Sequence, residues 1–550
     1  MDEYRKLCSQ YIPYIRTLKL PSIRFNEKKE AVFIEFRDLP HLEFIVRNAI
    51  HKLGEGWSHT IVCGTLNDHS FKFTESIPNV RIIKTRYSNL TQNQYSEFLC
   101  TKRFWEFFRG EKILIYQEDS CIFKDNMNDY VRFDYIGAPY SNIKSTKYVG
   151  NGGISLRTKA CMLEVIEKQP LQTFIIPVFT QPYCKKMGLR YCPEDVYFST
   201  NMQELNIGVV ADWESAHMFS TEGMNNLEAT CGHKFWQSNP LKKMMCKVIR
   251  QVKIPVTMYH PHCGGWNDVL KGLMEHQIVA ESAPIHLLDM VERFFIWNKN
   301  FLVKPIDIPW IGIVHYTPKT APYSNSVYDL FENDFFIKSL PMCKGIICLS
   351  QYVKDCLDDK LTVPIHVIHH PVHTRVKRFN YEKYKMNPNK YLLQIGNHLR
   401  RVSSIYKVNA PFHKKMWLTG SPQKMDELLH KDVRENKVIL NKSVSIRYVN
   451  PDVYHHLLTE NIVFIDLYDS SANNVILECI VRRTPILLNR TSGAIEYLGP
   501  SYPLFYDTFE EIPDLLSPVK IIESMRYLEA LKPLSIKSFC EELLSIIYSI

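Results

Sequence analysis

Short apolar runs of strand length recur along the chain, each followed by a stretch of helical periodicity. This alternation restricts the fold to α/β architectures in which βα units build a mainly parallel sheet. In the first half, Ala31–Phe36, Thr60–Cys63, Val80–Ile83 and Lys112–Tyr116 read as strands, with Leu42–Leu53 and Gln94–Phe108 as helices between them. The alternation breaks near residue 250, where the basic, helix-like stretch Leu241–Val252 leads into a new alternation from Ile254. It then runs twice more, through Pro309–His315, Gly345–Leu349 and Ile365–Ile368, and through Tyr391–Ile395, Met416–Thr419 and Ile462–Leu467. The expected organisation is therefore a first domain over 1–250 and a second module of two Rossmann-like lobes, 251–385 and 386–550. Tyr381–Lys390, with Pro388 and its charges, serves as the linker between the lobes.

A chain of 550 residues, 45% of them hydrophobic, can bury two or three cores. Its 67 Lys and Arg exceed its 58 Asp and Glu by 9, a mild surplus suited to anionic ligands such as nucleotide sugars. The basic residues are scattered, which argues against nucleic acid. The 15 cysteines show no CxxC pair, so reduced thiols and a cytoplasmic setting are expected. No apolar segment reaches membrane-spanning length, and no secretory leader is read at the charged start.

The richest stretch is ILIYQEDSCIF, residues 113–123, where an apolar strand runs directly into Gln117, Glu118, Asp119 and Ser120. Acids at the carboxyl end of a strand stand where α/β sheets bind ligands. A sugar-nucleotide diphosphate needs its leaving charge neutralised, and a hard cation held by one or two carboxylates does this. Asp119 is the metal candidate, although a plain turn acid would look the same. YVGNGGISLR, residues 148–157, sets Gly152 and Gly153 before an apolar run, either to let backbone amides approach a phosphate or as an ordinary turn. In CPEDVYFST, residues 192–200, Glu194 and Asp195 open a helix, as an acid–base pair or as acids serving the helix dipole. CGHKFW, residues 231–236, adds His233.

Taken together, these segments resemble a family of GT-A-like glycosyltransferase domains of poorly characterised specificity found in giant DNA viruses. Its motifs QxDS, GNGGxSLR and PEDxxF stand here at Gln117–Ser120, Gly150–Arg157 and Pro193–Phe198. The resemblance implies a nucleotide-sugar donor, with Asp119 and His233 as ligands of Mn²⁺ or Mg²⁺. It implies inverting transfer with Asp195, or Glu194, as the base. Glu35, Arg37 and Gln117 are counted with the donor-binding residues, and Gln117 replaces the first acid of a full DxD.

In the second module, DLYDSSANNVILECIVRRTPILLNRTSGAIEYLG, residues 466–499, forms a strand, a Ser-Ser-Ala-Asn-Asn loop and a helix carrying Glu478. Such a unit offers backbone amides to phosphates and a carboxylate to a ribose. It resembles the donor half of retaining GT-B glycosyltransferases, in which Glu478 matches the second glutamate of an E-x7-E motif. The first falls on Ser470. Ser471, Asn473 and Asn474 are the loop donors, Arg400 and Arg401 of QIGNHLRR face a diphosphate, and His315 of IGIVHYTP lies near the donor sugar. HPHCGGWNDVL, residues 260–270, is read as a Gly-Gly turn before a helix, and the last helix, Ile536–Ile550, is expected to cross back onto the first lobe.

Two functional readings follow. In one, two transferase sites act on a glycan or glycoprotein acceptor, with a UDP-sugar as the commonest type of donor. In the other, only the first domain is catalytic and the second module is a degenerate nucleotide- or glycan-binding partner. The expected location is the cytoplasm, that of a host cell if the chain is viral, with virion association as a variant.

Overall fold

The computed structural model describes residues 2–255, 265–297, 304–321, 324–420 and 422–550. The chain divides into two compact units, Met1–Arg250 and Gln251–Ile550.

The first unit is a mixed α/β sheet in the order β3-β2-β1-β4-β7-β6. Its strands are β1 (Lys29–Ile34), β2 (Ser58–Cys63), β3 (Val80–Lys84), β4 (Lys112–Tyr116), β6 (Tyr135–Pro139) and β7 (Val149–Thr158). The strands β1 to β4 are parallel, and β7 runs antiparallel between β4 and β6. A small second sheet pairs β5 (Ser120–Ile122), β9 (Cys231–His233) and β8 (Ser220–Thr221), with Ser120 opposite His233. The main core gathers Val32, Ile34, Ile113, Ile115, Trp105 and Phe198 between the sheet and its helices.

The stretch Gln94–Phe108, expected as one helix, is two: Gln92–Leu99 and Lys102–Glu106. Thr91 opens the first with a capping box to Gln94, and the Thr101 side chain accepts from Phe104 N and restarts the chain. A second cap inside one apolar period interrupts what periodicity alone reads as continuous. The glycines of GNGG, expected as a loop before a strand, lie inside the ten-residue β7. Helix in the basic stretch 241–252 is confined to Leu241–Met245, and Val252–Lys253 is already the strand β10.

The second unit contains two parallel sheets. One runs β10 (Val252–Lys253), β11 (Ile285–Leu288), β12 (Trp310–Val314), β13 (Cys343–Cys348) and β14 (Ile365–Val367). The other runs β17 (Val444–Arg447), β16 (Lys414–Leu418), β15 (Tyr391–Ile395), β18 (Ile462–Ile465), β19 (Ile486–Asn489) and β20 (Phe505–Tyr506). The central strands, such as β12 (WIGIV), β18 (IVFI) and β19 (ILLN), are near-continuous apolar runs, because helices cover both faces of a parallel sheet. The expected linker contains the helix Tyr381–Met386, opened by the Asn380 side chain on Lys383 N. The C-terminal helix Ile536–Ser549 packs on the helix Trp266–Glu275, where Gly272 leaves room for Ile536. The Gly-Gly turn read in residues 260–270 lies largely outside the described residues.

The glutamate of the helix Ser492–Leu498 joins the two sheets of this unit. Its Glu496 carboxylate accepts Gln351 N at 2.6 Å and Tyr352 N at 3.0 Å, at the start of the helix Gln351–Leu357, and His369 Nε2 at 2.8 Å. An acid at a helix N-terminus satisfies amides that have no partner within the helix.

Candidate active site

In the first unit the chain leaves β4 through a tight turn. Ser120 N donates to Gln117 O at 3.1 Å, and Ser120 Oγ donates to Gly153 O at 2.9 Å, which ties the turn to β7. The Gln117 side chain donates to Tyr95 Oη at 3.2 Å. Glu118 turns inward, where it pairs with Arg5 at 2.5 Å, His41 at 2.9 Å and Arg37 at 3.2 Å. Burial would raise Glu118, but the hydrogen bonds from His41 and Arg5 outweigh it and hold the carboxyl below its ordinary range. Arg37 also pairs with Glu35 at 2.7 Å, and Glu35 accepts the amides of Phe36 and Arg37.

Asp119 is buried and points at the small sheet. Its Oδ1 lies 3.1 Å from His233 Nε2, and His233 Nδ1 lies 2.7 Å from Glu222 Oε2. Yet these four buried atoms make no well-directed hydrogen bond among the described residues. The contacts are therefore ion pairs, held by charge rather than by well-directed hydrogen bonds. Burial opposes charge on Asp119, but His233 and Lys234 outweigh it, so the carboxyl sits well below its ordinary value. Burial would lower His233, but Asp119 and Glu222 raise it to about 9. Among the described residues no group of three or more His, Cys, Asp and Glu forms a ready metal cage.

Two consecutive glycines of β7 pack against His233 on the one hand and against the remaining acids on the other. A Cβ on Gly153 would fall 2.1 Å from the His233 ring, and one on Gly152 would fall 2.7 Å from Glu194 Oε1 and 2.8 Å from Asp195 Cβ. Only glycine lets the strand run between them. Gly152 N donates to Asp195 Oδ2 at 2.9 Å, and Val196 N donates to Oδ1 at 2.8 Å. Burial, then the charge of Glu194, raises half-buried Asp195 to about 6 against the pull of those amides.

Two expectations change here. Glu194 is not an available base, because Arg157 occupies it with contacts of 2.5 and 3.2 Å and both side chains are buried. The glycine amides are not free for a phosphate either: Gly152 N is held by Asp195, and Gly153 N donates to Asn151 Oδ1 at 3.1 Å. Sequence reasoning missed Glu222, which lies in an unremarkable loop, and Arg157, whose signal was a charge inside an apolar strand.

In the second unit, the loop after β15 and the helix Asn474–Arg482 converge. The Asn473 side chain accepts Val475 N and Ile476 N as the helix cap, and Arg400 approaches its Oδ1 at 3.4 Å. Burial lowers the Arg400 guanidinium to about 10, and its Nε has no hydrogen-bond partner among the described residues. Glu478, one turn into the helix, accepts from the Tyr454 hydroxyl through Oε2, while its buried Oε1 has no hydrogen-bond partner among the described residues. Burial raises Glu478 to about 7. Asn474 opens the helix and is half-buried.

Other expected donors are committed elsewhere. Arg401 pairs with Asp466 at 3.1 Å, donates to Leu467 O at 2.7 Å and lies over the Tyr468 ring. Ser471 meets Ser350 at 2.9 Å. His315 Nε2 lies 2.9 Å from Asp289 O, and its ring packs edge-on against Trp266. Ser470, at the position of the absent glutamate, bonds Thr491 Oγ1 at 2.7 Å, and Gly493 packs against its carbonyl so closely that a Cβ would fall 1.9 Å away.

Residues 78–234 match the family model described as a protein of unknown function, DUF5672, a span that contains Asp119, Gly152, Gly153, Asp195 and His233. No curated protein matches the chain. Among solved structures, Anabaena HepE in complex with UDP and glucose is similar at 12% identity and a TM-score of 0.38, over 57% of this chain and 90% of that one. TarM is similar at 12% identity and a TM-score of 0.34, over 48% of this chain and 54% of that one. A glycosyltransferase from Rickettsia africae is similar at 11% identity and a TM-score of 0.31, over 57% and 88%.

Proposed function

We propose that the chain is a glycosyltransferase whose first unit, a GT-A-like module, moves a sugar from a nucleotide-sugar donor with Asp195 as the base. One observation carries this reading. Along β7, Gly153 makes room for the ring of His233, which is ion-paired with buried Asp119, and the amide of Gly152 holds the Asp195 carboxylate, whose pKa is raised to about 6. Acceptor activation requires a base with a pKa near the working pH, and Asp195 has one.

Asp119 and His233 fit a divalent cation, Mn²⁺ or Mg²⁺, because their facing atoms are close, buried and without a directed hydrogen bond. Bound there, the cation would neutralise charge on the donor diphosphate, whose oxygens complete a site to which the protein gives few ligands. Asp195 would take the proton of the acceptor hydroxyl, and its attack from the face opposite the leaving group would invert the sugar carbon. Gly152 N and Val196 N fix the carboxylate for that role.

The second unit, read as a GT-B-like module, binds a nucleotide sugar at Arg400 and Glu478, with the diphosphate on the buried guanidinium and the ribose on Glu478. Buried Ser470 favours the reading in which this module binds without transferring, since no carboxylate stands in its place.

The test is nucleotide release from a panel of nucleotide sugars, with and without Mn²⁺, by the full chain and by Asp119→Asn and Asp195→Asn. Metal-stimulated release lost in both variants is expected. Release unchanged in both would remove the first unit from the chemistry.

A further inference from the structure

The sheet of β15, β16 and β17 has two edges. The carboxyl edge carries Arg400. At the opposite edge the three strands begin side by side, with Tyr391 paired to Lys414 and Lys415 to Val444. The segments leading into them are therefore neighbours, since adjacent strands lie about 4.8 Å apart. Lys414 bonds Asn389 at 2.6 Å, which joins two of these segments directly.

Each segment projects an apolar side chain into solvent and flanks it with lysine. The first carries Met386, 72% exposed, between Lys385 and Lys390. The second carries Phe412, 85% exposed, before Lys414 and Lys415. The third carries Ile439, 88% exposed, and Leu440, between Lys437 and Lys442. No Asp or Glu occurs in residues 385–390, 410–415 or 437–443. The nearest acids along the chain, Glu382 and Glu435, lie on flanking helices, and Glu460 is already 3.5 Å from Lys383.

A fold that buries its apolar residues elsewhere has no structural use for large aliphatic and aromatic tips on a helix end and two loops that lead into adjacent strands. Lysine alone would suit any polyanion. Apolar tips ringed by lysine suit one that also has an apolar interior, with tips entering the acyl boundary and ammonium groups meeting phosphate headgroups. Nucleic acid offers no such layer to aliphatic tips.

We propose that this edge is a peripheral docking surface for an anionic lipid bilayer. No described helix is long and apolar enough to cross a membrane, so attachment by this surface would be reversible. Because the edge lies across the sheet from Arg400, docking leaves the candidate nucleotide site facing away from the lipid.

The test is co-sedimentation of the full chain with vesicles of phosphatidylcholine alone and of phosphatidylcholine mixed with phosphatidylglycerol. Binding to the mixed vesicles only, weakened by salt, is expected. Lys437→Glu with Lys442→Glu should weaken it at least about 25-fold, at about fivefold per lysine removed (about 1 kcal/mol each). Phe412→Ser with Ile439→Ser should abolish it without lowering the melting temperature. Should that pair misfold, Phe412→Trp supplies a second readout, a blue shift of emission on mixed vesicles. Absence of wild-type binding, or binding unchanged by the apolar pair, overturns the proposal. So does RNA binding lost only with the lysine pair, or a wild-type dimer that the apolar pair splits, if vesicle binding is absent. None of these readouts uses sugar transfer, so they stand apart from the proposed activity.

Discussion

A methyl group added to Gly153 would sit 2.1 Å from the imidazole of His233, so the position of the histidine depends on a side chain missing from a strand of the other sheet. Gly153→Ala should push the ring off Asp119 while β7 stays paired with β4. The expected outcome is loss of Mn²⁺ binding by calorimetry, as complete as in Asp119→Asn. Retention of binding would show that His233 is not held by this packing.

Asp195 should set the acidic limb of the rate. With its pKa raised to about 6, the base is increasingly protonated below that pH, so turnover should fall as pH drops through about 6. Asp195→Asn should lower turnover by about 10²–10⁴ and remove that limb. A pH–rate profile of the wild-type chain and the variant checks both.

The Arg157–Glu194 pair should be structural. Arg157→Met leaves a buried, unpaired carboxylate, and breaking such a pair costs about 3–5 kcal/mol. A denaturant melt should show this loss. A variant that keeps wild-type stability but loses turnover would return Glu194 to the chemistry.

Glu478→Gln and Arg400→Ala should weaken nucleotide binding to the second unit and leave metal-stimulated release by the first unchanged. Calorimetric titration with UDP in an Asp119→Asn background isolates this site. Unchanged affinity in both variants would remove the site.

Glu292 gives a pH dependence of stability. It is fully buried; Oε1 accepts the amides of His315 and Tyr316, while burial raises its pKa from an ordinary 4.5 to about 7. Between these values the folded chain holds a proton that the unfolded chain releases, so this contribution to stability is present below about 4.5 and lost as pH rises through about 7. Glu292→Gln keeps an acceptor for the amides and cannot ionise. Thermal melts should show the wild type losing stability from pH 5 to 7.5 relative to the variant.

Much of the architecture was legible because strand and helix periodicities are local. Lys112–Tyr116, Leu42–Leu53 and Tyr391–Ile395 have the bounds their patterns predict. Reading failed where a local signal had two physical causes. Consecutive glycines suit a phosphate loop, yet in β7 they relieve crowding from His233 and Glu194. Paired acids at a helix start look equivalent, yet Arg157 claims Glu194 and leaves Asp195. Arg400 and Arg401 are neighbours in sequence, but one reaches the Asn473 cap and the other Asp466.

By itself the sequence determined the α/β class, the acids at strand ends and the residue types from which a site could be built, since these follow from periodicity and composition over a few residues. Only the tertiary structure decided which groups meet. Asp119 and His233 are brought together by the β5–β9 register, with Glu222 on the far side of the ring, and Asp195 is fixed on β7 by the amide of Gly152. Such encounters depend on strand pairing across 100 residues and more, and no local pattern encodes the partner.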